Sequence, residues 1–291
     1  MQGSLTALIT PMKGGTVDEA ALRALVDWQL REGTDGLVPC GTTGEGGVLE
    51  PDEWSLVVRA TVEETKGRVP VLAGCGTYST HHTIENVRRA KALGATHALV
   101  VAPYYNRPPQ EGLFAHFRAA ARDGGLPIVL YNIPSRTGVD VSAETTARLF
   151  KDLGPLLAGV KEATGLIART LELLELTDGD LAVFAGDDAL TVPVVSLGGR
   201  GVITTAGNCA PAEMSRLVDL ALAGDFTGAA RQARRLNPLL RALFVETNPV
   251  PLKAAMQLLG RAGPEIRLPL VPAQEATVKR LREALGALGL L

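Results

Sequence analysis

Eight short apolar runs recur along this chain, and a longer helical pattern follows each one. The runs fall at residues 5–10, 36–41, 69–74, 97–102, 128–132, 157–161, 181–186 and 201–205. Their spacing of roughly 20–35 residues leaves room for a crossover helix each time, which a parallel sheet requires. The internal runs are apolar nearly throughout, as strands covered on both faces must be. Eight such units predict a closed (β/α)₈ barrel. The competing arrangement, an open doubly wound sheet, is disfavoured because no G-x-G-x-x-G follows the first run and no Walker A sequence occurs. The expected crossover helices include 18–32, with Asp18 as N-cap and Gly33 as a stop. A second opens at Pro51-Asp52-Glu53, where proline and acids suit the first turn. Beyond the eighth unit the pattern turns all-helical, with amphipathic stretches at 227–243, 251–259 and 274–288. The chain therefore divides into a catalytic barrel over 1–224 and a small C-terminal helical bundle over 225–291, with no low-complexity linker between them.

Composition removes several function classes. A formal net charge of −2 offers no field for a polyanion, which argues against nucleic acid. No apolar run approaches the ~20 residues of a membrane span, and the first residues read as a strand instead of a secretory leader. Cys40, Cys75 and Cys209 are odd in number and scattered, which suits reduced thiols in a cytoplasmic protein. The four histidines give no metal-binding spacing, so a metal site is not expected.

In a barrel of this kind chemistry gathers at the C-terminal ends of the strands. The sixth run ends in Val160-Lys161-Glu162-Ala163-Thr164-Gly165. A lysine there is either paired with Glu162, or turned outward, or buried with a lowered pKa that makes its amine a Schiff-base nucleophile. The second run ends in Gly41-Thr42-Thr43-Gly44-Glu45, whose hydroxyls and free N–H groups could cradle a carboxylate; a tight turn accounts for the glycines but not for two threonines. The fourth ends in Pro103-Tyr104-Tyr105-Asn106, where packing aromatics and functional phenols are equally consistent with the residues. The fifth carries Tyr131 and Arg136, and a guanidinium can grip a carboxylate with two parallel hydrogen bonds. The seventh ends in Gly186-Asp187-Asp188, read as helix capping in preference to a metal pair. The eighth runs through Ile203. One amine, several hydroxyls and one guanidinium, with no histidine, suit carbonyl chemistry with proton shuttling better than hydrolysis. Alternation along the strand predicts that Glu162 points away from the barrel interior. A phosphate site at Gly198-Gly199-Arg200-Gly201 is disfavoured, because those glycines precede the eighth strand.

These five strand-end motifs, in this order, resemble the dihydrodipicolinate synthase family within the pyruvate-dependent aldolases. The resemblance implies that Lys161 forms the imine with pyruvate. Thr42, Tyr131 and Tyr105 would form the proton relay. Thr43 and its loop would hold the pyruvate carboxylate, Gly186 and Ile203 would line the substrate pocket, and Arg136 would bind the carboxylate of L-aspartate 4-semialdehyde. It implies no cofactor and a homotetramer of tight dimers in which Tyr105 reaches the partner's site, so a strained or positive φ is expected there. The N-acetylneuraminate lyases and sugar-acid aldolases share the lysine and Tyr131 but generally lack Thr42 and Arg136, and a catalytically silent relative would not be expected to keep all five groups. Where relatives bind inhibitory L-lysine, this chain carries Gly46, Pro51, Trp54, Tyr78 and His82, with only Tyr104 matching. With no carboxylate there, weak or absent lysine feedback is expected.

Overall fold

A computed structural model describes residues 1–291 of the protein. Its eight strands are β1 (Gly3–Ala7), β2 (Gly36–Val38), β3 (Leu72–Gly74), β4 (His97–Val101), β5 (Ile128–Asn132), β6 (Leu157–Glu162), β7 (Val183–Ala185) and β8 (Gly201–Thr204). They pair in parallel in the order β2-β1-β8-β7-β6-β5-β4-β3, and a bridge between Leu37 and Val71 closes the ring. The crossover helices are α1 (Glu19–Arg31), α2 (Pro51–Thr65), α3 (Thr80–Ala92), α4 (Gln110–Gly124), α5 (Ala143–Leu153), α6 (Ile167–Leu176), α7 (Thr191–Ser196) and α8 (Pro211–Leu222). The expected (β/α)₈ barrel is the observed architecture.

Local chemistry explains most element boundaries. Asp18 accepts the backbone N–H of Ala21 and starts α1, as its position suggests. In α2 the Glu50 backbone N–H donates to the Glu53 carboxylate while proline occupies the first turn. The structure trims several expected strands. The second ends at Val38 and not at residue 41, because Cys40 adopts φ 57° and swings the chain out of the ladder. The first ends at Ala7, after which the Ile9 N–H turns to the side chain of Asn208. Two small elements carried no signal: a hairpin pairing Met12–Lys13 with Thr16–Val17, and one helical turn at Pro134–Thr137.

Strand register decides which side chains enter the barrel. Residues in register on parallel strands point to the same face. Leu5, Val38, Leu72, Leu99, Val129, Tyr131, Phe184 and Ile203 form the inner apolar cluster. Lys161 lies between Tyr131 on β5 and Phe184 on β7, so it too points inward. Glu162 faces outward and is held by the N–H of Thr164 at 2.7 Å and the amide of Asn132 at 3.1 Å.

The last three helices are α9 (Phe226–Ala242), α10 (Val250–Leu258) and α11 (Glu275–Ala287). Leu236, Leu239, Leu252, Met256, Leu281 and Leu285 of these helices belong to the same 62-residue apolar cluster that joins the barrel to its helical shell. Detaching them would expose that cluster, so they are fixed to the barrel. Their connections return to the catalytic face, and the segment from Glu246 to Arg267 meets the loops after β1 and β2.

Candidate active site

The Lys161 side chain is 5% exposed and its ammonium lies 4.4 Å from the centroid of the Tyr131 ring. Burial lowers its pKa from an ordinary 10.5 to about 8; the Asp188 carboxylate opposes this and the Arg136 guanidinium adds to it. A substantial fraction of the amine is thereby neutral near physiological pH. The aromatic face stabilises the charged form without fixing the nitrogen in a hydrogen bond, as a contacting carboxylate would. Burial likewise pushes the Tyr131 phenol up to about 12, against the pull of Arg136 and of a hydrogen bond with Thr42. Tyr131 therefore stays protonated and can donate.

Thr42 and Thr43 sit in the tight loop after β2. A Cβ on Gly46 would lie 1.9 Å from the Cys40 carbonyl oxygen, so that position of the turn admits only glycine. Thr43 is 3% exposed and its hydroxyl accepts the Asn248 side-chain amide at 3.0 Å. The single turn after β5 brings Arg136 to the mouth, where it donates to the Asn248 carbonyl at 3.2 Å. Gly186 packs where β6 and β7 end; a Cβ there would meet that of Ala163 at 2.6 Å. Ile203 is fully buried in the inner cluster.

The structure thus links Lys161, Tyr131, Thr42, Arg136 and, through Asn248, Thr43, and sets Ile203 with Tyr131 in the inner cluster, while Gly186 stands against Ala163 at the strand ends. It does not bring in Tyr105, which is 90% exposed and stands away from the body of the protein at φ 70°, the left-handed backbone expected for it. A cavity of about 560 Å³ opens over the mouth. Thr42, Tyr131, Arg136 and Asn248 line one end, and Pro51, Trp54, Arg89 and Tyr104 the other. Tyr104 also meets the edge of Tyr78 at 5.5 Å. No three His, Cys, Asp or Glu side chains converge to hold a metal.

Two residues have site roles that the sequence did not assign to them: Asp188, read with Asp187 as a helix cap, and Asn248. Asp187 caps the turn after β7 through the Ala189 N–H, as expected for the pair, but its neighbour Asp188 turns inward. Asp188 is buried, accepts the N–H groups of Thr205 and Ala206 at 3.2 and 2.9 Å, and is the carboxylate that Lys161 feels. Adjacent aspartates look alike in a sequence, and only the turn geometry separates them. Asn248 lies in the turn before Pro249, and its contact with Thr43 spans 205 residues.

The sequence matches the Dihydrodipicolinate synthetase family over residues 1–288. It is 50% identical over 291 residues to a 4-hydroxy-tetrahydrodipicolinate synthase of Anaeromyxobacter dehalogenans, covering all of this chain and 98% of that protein. It is 48% identical over 289 residues to one of Nitratidesulfovibrio vulgaris, with 99% of each covered. Among solved structures, a dihydrodipicolinate synthase of Thermotoga maritima superposes with a TM-score of 0.98 at 43% identity, covering 100% of this chain and 99% of that one. A pyruvate complex of the Acinetobacter baumannii enzyme superposes with a TM-score of 0.97 at 40% identity, with the same coverage.

Proposed function

The chain belongs to the dihydrodipicolinate synthetase family, and from that premise we propose that it is a 4-hydroxy-tetrahydrodipicolinate synthase, joining pyruvate to L-aspartate 4-semialdehyde through an imine on Lys161. The observation that carries the reading is the buried amine over Tyr131, with its pKa lowered to about 8 and no carboxylate locked onto it. The neutral amine adds to the pyruvate keto carbon, and water leaves as the imine forms. The pyruvate methyl group then loses a proton to give an enamine, whose carbon attacks the aldehyde. The new alkoxide takes up a proton. The substrate amine closes the ring onto the imine carbon and frees Lys161.

Each proton movement suits a hydroxyl, which can donate and accept without carrying charge. Tyr131 lies against the amine and Thr42 bonds Tyr131, which supports a relay through them, and Tyr105 completes it from a second copy of the chain. Its exposure and left-handed backbone support that role, and with it a homotetramer of tight dimers. Thr43 and the N–H groups of its loop hold the pyruvate carboxylate, Gly186 and Ile203 line the pocket, and Arg136 takes the carboxylate of the second substrate. Three free, buried cysteines and no helix long and apolar enough to cross a membrane suit a cytoplasmic enzyme.

Borohydride reduction in the presence of pyruvate should give a covalent adduct on Lys161, located by peptide mass. Turnover should follow with L-aspartate 4-semialdehyde and not with N-acetylmannosamine. Turnover of the second pair alone would reassign the protein to the sugar-acid aldolases, and absence of any adduct would mark it as catalytically silent.

A further inference from the structure

We propose that a buried ion pair between Glu45 and Lys253 is a positioning device, through which the C-terminal helices hold the Thr42–Thr43 loop in its pyruvate-binding shape. The inference rests on reading that loop as the holder of the pyruvate carboxylate. Lys253 lies on α10 and its side chain is 1% exposed; that of Glu45 is 2% exposed, and the two are in direct contact. Each also has a second partner. The Lys253 ammonium donates to the Glu265 carbonyl at 2.6 Å, and the other Glu45 oxygen accepts the Arg267 N–H at 2.9 Å.

The loop needs an external hold. Cys40 and Glu45, at its two ends, both adopt left-handed backbone, with φ 57° and 55°. A side chain disfavours that conformation, which persists where the surroundings over-determine it. Within the loop the Glu45 N–H reaches the Thr42 carbonyl at 3.2 Å, so the residue gripped by Lys253 is itself bonded to Thr42. Asn248, just before α10, bonds the Thr43 hydroxyl. The segment Glu265–Arg267 extends the hold: the Glu265 carboxylate accepts the N–H groups of Gly14 and Gly15 in the hairpin after β1, and the Arg267 guanidinium pairs with Glu53 of α2. One C-terminal strap therefore grips two βα loops of the catalytic face. Burying two charges is costly, and their persistence here fits a demand for a fixed geometry better than a demand for stability.

Side-chain length tests this directly. Glu45→Asp keeps the buried charges balanced but shortens the arm by one carbon, whereas Glu45→Gln keeps the length but leaves one acceptor oxygen for two donors and strands the Lys253 charge. In steady-state assays on folded tetramer, positioning predicts that Glu45→Asp raises the pyruvate KM about tenfold, with kcat and the KM for the aldehyde within about twofold. Glu45→Gln, which releases one of the two holds, should raise the pyruvate KM at least as much. A merely structural pair would lower the melting temperature without this split. An unchanged pyruvate KM in folded Glu45→Asp overturns the proposal. Thr43→Ala, run alongside, separates the two ideas: a raised KM there with none in Glu45→Asp overturns the positioning role alone. An unchanged KM in both overturns the reading of the loop as well.

Discussion

Two lysines are buried in this protein, and burial lowers the pKa of each, yet their surroundings give them opposite fates. Lys253 is clamped, with a carboxylate in contact and a carbonyl at 2.6 Å. Both partners accept from its ammonium, which has no lone pair to offer a substrate. Lys161 faces an aromatic ring at 4.4 Å, and its carboxylate, Asp188, is engaged by two backbone N–H groups. Burial alone does not make a lysine reactive. What matters is whether the space around the nitrogen is filled by a partner or left for a substrate.

The comparison is broken most readily by removing each amine. Lys161→Met should abolish the borohydride adduct and lower kcat/KM by roughly 10⁴-fold or more, the scale lost when a covalent catalytic group is deleted. It should leave the melting temperature unchanged or higher, since it relieves a buried charge. Lys253→Met should do the reverse for stability, costing about 3–5 kcal/mol by stranding Glu45, as denaturant unfolding would read. If both variants lose equal stability, the distinction between clamped and free lysine fails. Tyr131→Phe tests the ring apart from its hydroxyl. Turnover should fall by about 10²–10⁴-fold while the adduct still forms, because the aromatic face remains.

A gentler test uses pH. Lys161 titrates near 8 in the folded protein and near 10.5 when unfolded. Below about pH 8 both states are protonated, and burial of the charge holds back about 3 kcal/mol of stability. Between 8 and 10.5 the unfolded chain keeps a proton that the folded one has released, so stability rises with pH. The gap in unfolding free energy between wild type and Lys161→Met should therefore narrow by about that amount across this window. Adduct formation should climb through pH 8 and level off above it; a midpoint near 10 would show an unperturbed lysine.

The smallest expected effect concerns regulation. The outer end of the cavity is lined by Gly46, Pro51, Trp54 and Arg89, and the Trp54 indole is engaged with the Gly74 carbonyl at 3.0 Å. His82 and Tyr78 are exposed, and Glu45 is committed to Lys253. With no carboxylate to receive a second amine, millimolar L-lysine should change the rate less than twofold. Inhibition at micromolar concentration would show that another group serves.

Much of this was legible from the sequence because it depends on local pattern. Apolar runs at crossover spacing specify parallel strands, and β5 begins and ends where the pattern places it, at Ile128 and Asn132. Alternation put Lys161 inside and Glu162 outside, since a strand has only two faces. Motif residues at strand ends met because the barrel gathers every strand end at one mouth. Boundaries set by a single φ, as at Cys40, carried no such signal.

By itself, then, the sequence determined the barrel, the helical C-terminal stretch and the candidate nucleophile, all products of short-range periodicity. Tertiary structure decided which lysine is free and which is held. It turned Asp188 and not Asp187 toward the amine, placed Asn248 on Thr43, and set Lys253 against Glu45. Those contacts join positions far apart in the chain through loops whose course only the packed core fixes, and no local pattern encodes them.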